Sequence, residues 1–147
     1  MRLSDFLCRD AIIADMNARS KEEALAELAG AAAKAGLDEN SVLCVLLERE
    51  ALGSTAVGDG YAIPHGKMQG LSTMVMVFAR SLAGVEFSAP DERKCHFFFM
   101  VLAPEGAAGK HLGLLGAIAR LAKDKAFTTR LMQAKDAAEI AAFLSAA

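Results

Sequence analysis

The run Cys95-His96-Phe97-Phe98-Phe99-Met100-Val101-Leu102 limits the folds open to this chain more than any other stretch. It is almost continuously apolar, the pattern of a central strand covered on both faces. Such a strand requires a layer of structure above and below it. Thr73 to Ser81 is a second β-prone run, rich in valine, methionine and phenylalanine. Val85-Glu86-Phe87 reads as a short strand or bulge before a turn at Ala89-Pro90-Asp91. Ala11 to Met16 is a short apolar run that fits a further strand, and Leu3 to Cys8 a short helix.

Helices fill the intervals. Ser20 followed by Glu23 is a capping box, and Ala24, Leu25, Leu28, Ala31, Ala32 and Ala35 form one apolar face up to Gly36. Asp38 to Ser41 offers a second N-cap, for a helix that ends between Arg49 and Ala51. Lys110 to Ala122 has helical spacing. Asp124 caps a helix carrying Phe127 and Leu131, and Asp136 with Glu139 opens the last one. Strands interleaved with helices predict an α/β sandwich around a mixed sheet. With 147 residues, no repeats and no linker, a single domain over residues 1–147 is expected.

Composition narrows the function classes. A formal net charge of -2 without a basic block gives no footprint for nucleic acid. No apolar run is long enough for a membrane span, and the acidic start lacks a secretory pattern, so no direct membrane insertion is expected. Cys8, Cys44 and Cys95 are widely spaced and odd in number, which reads as buried reduced thiols in a cytoplasmic protein.

Arg49 through Gly66 is the longest run with little periodicity, yet it is not polar filler. It holds four glycines, Pro64, the hydroxyls of Ser54 and Thr55, Arg49 and His65. Pro64 restrains the backbone just before His65 and biases Ile63 to an extended conformation. The stretch reads as a loop built to hold one imidazole in place. Gly58-x-Gly60 lacks the third glycine of a dinucleotide fingerprint, and no Walker lysine follows. His65, His96 and His111 have no helical ligand spacing and no cysteine pair, so no metal is expected. No nucleophile elbow is present either. What remains is His65 as the nucleophile itself, taking a phosphoryl group and passing it on. Such chemistry needs positive charge and donors around the moving group. Arg49, Ser54, Thr55 and His111 can supply them, with Gly58 and Gly60 shaping the backbone. Each also has a plainer role: Arg49 at a helix C-terminus, Ser54 and Thr55 as turn residues, His111 as a solvated helix-start residue. His96 is expected on a strand or edge.

Arg-Glu-x-x-x-Ser-Thr-x-x-Gly-x-Gly-x-Ala-Ile-Pro-His-Gly, met by Arg49 through Gly66, strongly resembles the enzyme IIA domain of the bacterial phosphotransferase system. The class is the fructose, mannitol and nitrogen-regulatory one. Lys21 to Leu25, Pro104, His111-Leu112 and Leu115 extend the resemblance over nearly the whole chain. It implies a mixed, mostly parallel sheet sandwiched between helices on both faces. It also implies that the phosphorylated histidine is His65, the phosphate-supporting arginine Arg49 and the second active-site histidine His111. No cofactor is implied. The donor implied is a histidine phosphocarrier protein, and the acceptor a permease domain or a regulatory target protein. The Leu-Gly-Ser-Thr sequence in the loop resembles the nitrogen-regulatory branch more. A sugar-specific subunit and a regulatory module acting by partner contact are the alternatives.

Overall fold

In the computed structural model, which describes residues 2–147, the apolar run becomes β5 (Cys95–Pro104), the strand on which the sheet is assembled. β4 (Val75–Val85) lies antiparallel along one edge of it. Along the other edge run β2 (Tyr61–Ala62) and β3 (His65–Met68), both parallel to β5 and separated by Ile63 and Pro64. β1 (Ala56–Gly58) pairs antiparallel with β2 at the margin. The expected mixed sheet is present, but it is not mostly parallel as expected: its parallel pairings are the short ones, and the long pair, β4 with β5, is antiparallel.

Successive β5 side chains point to opposite faces, and each face has its own core. Phe98, Met100 and Leu102 pack with Leu25, Leu28, Val42 and Leu46 of α1 (Lys21–Ala32) and α2 (Glu39–Glu50). Phe97, Phe99 and Val101 pack with Leu114, Ile118, Leu131, Ile140 and Leu144 of α3 (Ala108–Ala122), α4 (Lys125–Gln133) and α5 (Ala137–Ser145). The helix starts read from sequence are present: Ser20 accepts from the Glu23 N–H, Asp38 from Ser41, Asp124 from Phe127 and Asp136 from Glu139. Gly36 ends the first helical stretch at φ 85°, in the left-handed region where glycine carries no Cβ penalty.

The N-terminal segment differs from expectation. Leu3 to Cys8 yields only a 3-10 turn at Leu3–Asp5. Ala11 to Met16 is not a regular strand but a broken edge running parallel to β4, with a single bridge between Ile13 and Ala79. Arg80 explains the break. Its buried guanidinium takes the Ala14 carbonyl at 2.9 Å, which removes that acceptor from a backbone ladder. The same group takes the Leu131, Met132 and Ala134 carbonyls at the end of α4. Two of the thiols also differ from the reading: Cys95 is buried, but Cys8 is half-buried and Cys44 exposed.

Candidate active site

His65 opens β3 rather than lying in a loop, because Pro64 accepts from the Val101 N–H through its carbonyl and seats the next residues on the β5 edge. Gly66 follows and faces α2. A Cβ at this position would fall on the Val45 side chain. The bare backbone therefore lets α2 lie against β3. Val45 and Arg49 are one turn apart on the same helix face, so this close approach also carries Arg49 to the His65 side of the sheet.

α3 completes the site from the other side. Its first turn brings His111, which is buried, to His65; the ring centroids are 5.3 Å apart and nearly perpendicular. Val45, Glu48, Arg49, Leu52, His65, Lys67, Ala108, His111 and Leu112 thus surround one open cavity of about 480 Å³. The N-cap Ala107 offers no side-chain acceptor to the helix, so the positive end of α3 is uncompensated where Ala108 meets the cavity.

The two imidazoles are held differently. His65 Nδ1 lies 2.7 Å from the Ile63 carbonyl oxygen, which can only accept, so Nδ1 carries the hydrogen. In the neutral ring Nε2 then has a free lone pair. Burial lowers the His65 pKa, as does the Arg49 charge, against the opposing pull of the Ile63 carbonyl. Burial likewise lowers that of His111, reinforced by His65 and Lys67. His111 Nε2 is buried without a hydrogen-bond partner, a rare state for a polar atom. Arg49 donates to the Gly53 carbonyl at 3.0 Å, which folds its side chain back over the turn after α2.

The other residues singled out in the sequence do not line this cavity. Ser54 Oγ donates to the Phe87 carbonyl at 2.8 Å, and Thr55 Oγ1 donates to Glu50. Both line a smaller recess together with Arg49 and His65, and their hydroxyl hydrogens are donated within the protein. Gly58 and Gly60, at φ 92° and 83°, form the tight turn between β1 and β2, outside the cavity. Their positive φ values serve the backbone geometry of the turn. His96 lies on β5, half-buried, with Nδ1 2.8 Å from the Ser81 carbonyl, a structural tie between β5 and β4. Lys67 was not singled out, although strand alternation places it on the same face as His65. Leu52 and Leu112, 84% and 72% exposed, were not foreseen as the apolar rim of the cavity.

The family described as phosphoenolpyruvate-dependent sugar phosphotransferase system, EIIA 2, matches residues 5–147. A nitrogen regulatory protein of Bradyrhizobium diazoefficiens is 41% identical over 146 residues, 99% of this chain and 95% of the relative. The fructose-specific EIIA component of Haloferax volcanii is 36% identical over 118 residues, 79% of this chain and 77% of the relative. The crystal structure of nitrogen regulatory protein IIA-Ntr from Neisseria meningitidis shares the fold with a TM-score of 0.89 and 34% identity, covering 97% of this chain and 98% of that one.

Proposed function

This chain belongs to the EIIA 2 family of the phosphoenolpyruvate-dependent phosphotransferase system, and we propose that His65 Nε2 is the atom that carries its phosphoryl group. As a family member the protein is a phosphotransferase component, accepting a phosphoryl group on histidine and transferring it. The observation that carries the assignment to His65 is the Nδ1 hydrogen bond to the Ile63 carbonyl, which leaves Nε2 bare in a cavity shared with Arg49 and His111.

The step follows from that geometry. The Nε2 lone pair attacks phosphorus on a donor phosphohistidine. A P–N bond forms to His65 as the donor's P–N bond breaks, and the donor imidazole leaves with the electron pair. Nδ1 keeps its hydrogen, so the His65 ring becomes cationic and its bond to Ile63 strengthens. Arg49 and Lys67 supply positive charge for the equatorial oxygens, and the start of α3 adds its positive end. The unpaired Nε2 of His111 finds its partner in a phosphoryl oxygen.

The donor is a histidine phosphocarrier protein. The acceptor is a regulatory target protein, the reading favoured by the relative that is 41% identical across 99% of the chain. A permease domain is the second reading, supported by the fructose-specific relative. Either partner must cover the cavity, and the exposed Leu52 and Leu112 give it an apolar rim to dock on. Cytoplasmic placement goes with such partners; among the described residues no helix is long and apolar enough to cross a membrane.

Incubation with a phosphorylated histidine carrier, followed by intact-mass measurement, tests the assignment. The wild-type chain should gain one phosphate and His65→Ala none. A full phosphate on a folded His65→Ala variant would overturn it.

A further inference from the structure

Glu50 sits at the end of α2, next to Arg49, but takes no part in the cavity. Its side chain is only 5% exposed, and its carboxylate is fully engaged. Lys21 Nζ lies 3.0 Å from Oε1, the Thr55 N–H donates to Oε1 at 3.2 Å, and the Thr55 hydroxyl donates to Oε2. A buried carboxylate is costly unless it is paired and hydrogen-bonded, and this one is both. All of its protein donors apart from Lys21 come from a single residue of the following turn.

Thr55 passes the constraint on. Its carbonyl accepts the Ile63 N–H at 3.0 Å, and the Ile63 carbonyl accepts from His65 Nδ1 at 2.7 Å. Glu50, Thr55, Ile63 and His65 therefore form one hydrogen-bonded series, each link made through the residue before it. Lys21 anchors the far end twice, since Nζ also lies 4.9 Å from the centre of the Phe87 ring. The Phe87 carbonyl accepts from Ser54, so the turn is held from both sides.

We propose that Glu50, anchored by Lys21, is a positioning residue for phosphoryl transfer: through Thr55 and Ile63 it fixes the carbonyl that keeps the hydrogen of His65 on Nδ1 and leaves Nε2 bare. This rests on His65 being the acceptor. Free imidazole holds no such preference, so the nucleophilic tautomer has to be imposed by the surroundings. Without the carboxylate, the Thr55 N–H and hydroxyl lose their acceptor and the turn loses its tie to α2. The Ile63 carbonyl is then free to drift, and a ring whose hydrogen has moved to Nε2 cannot attack. Glu50 touches neither substrate nor the reacting atoms; it acts on which tautomer is present.

The test is nitrogen-15 NMR of the His65 ring in the unphosphorylated protein at a pH where it is neutral, comparing wild type with Glu50→Ala and Thr55→Val. Wild type should show the Nδ1–H tautomer almost alone. Glu50→Ala, checked for folding by circular dichroism, should show a mixture with the Nε2–H form. Its phosphoryl acceptance should be slower by on the order of tenfold to a hundredfold, the range for a misplaced reacting group, with carrier affinity kept. Thr55→Val keeps the backbone N–H and should shift the tautomer less, and it serves if Glu50→Ala does not fold. A folded variant whose tautomer matches wild type would overturn the proposal, whatever its rate. Failure of the underlying reading has a different signature: phosphate would map to another residue while the tautomer still responded to Glu50.

Discussion

Replacing Gly66 by alanine should damage the fold and the site together, for one geometric reason. The added Cβ falls on the Val45 side chain, so either that side chain or the whole helix has to give. Valine in a helix has one strongly preferred rotamer, which leaves α2 to move away from β3. Overpacking of this kind costs about 1–3 kcal/mol. For a chain of this length that corresponds to a fall in melting temperature of roughly 2–4 °C per kcal/mol. Arg49 is one turn beyond Val45 and would be carried away from His65, so phosphoryl acceptance should also slow. Val45→Ala alone should cost about 1 kcal/mol, since Val45 is half-buried. In the double variant the clash is gone. The two effects should then fall short of their sum by about 1 kcal/mol or more, and most of the lost rate should return. Thermal melts and transfer rates on the four proteins form the cycle. Additive stabilities, or a Gly66→Ala protein with wild-type rate, would refute the claim that close helix–strand approach places Arg49.

Arg49→Lys keeps the charge but not the planar fork of donors, and it should slow phosphoryl acceptance about a hundredfold, the cost of one lost oxyanion contact of ~3 kcal/mol; quench-flow transfer assays check it. Phosphate on His65 should raise the His111 pKa, because the ring centroids are 5.3 Å apart and a dianion favours the cationic imidazole; NMR titration before and after phosphorylation reads it directly, and His111→Ala should impair transfer. Both histidines have lowered pKa values, first through burial, so acceptance should hold near pH 7 and fall only below about 6.5, the ordinary histidine value. The unfolded chain then binds more protons than the folded one below that pH, so the stability linked to both groups is complete above about 6.5 and is lost as pH falls toward the folded values.

The sheet and its two layers were legible because β5 is apolar at nearly every position, and only a strand covered on both faces asks for that. The four helix starts were legible because each has a capping side chain at a fixed offset. Ala11 to Met16 misled because Arg80, distant in sequence, takes the Ala14 carbonyl. Nothing local announces that competition. Within the Arg49 to Gly66 stretch the residue types were informative and their partners were not. The hydroxyls of Ser54 and Thr55 are visible in the sequence, and only the packing shows Phe87 and Glu50 accepting from them. His111 read as a solvated helix-start residue on its own spacing; its burial depends on where α3 meets β3. Lys67 could have been found from period two along β3, had the strand start at His65 been recognised.

Multinuclear NMR of the phosphorylated protein, with nitrogen-15 in the histidine rings and phosphorus-31 detection, tests the central claim most directly. It should show a single phosphohistidine, at His65, with phosphorus coupled to Nε2 and the hydrogen still on Nδ1. Phosphorus on Nδ1 of His65 would contradict it, because the Ile63 hydrogen bond would then have to be broken, and phosphorus on His111 or on a hydroxyl oxygen would contradict it by placing the acceptor outside His65.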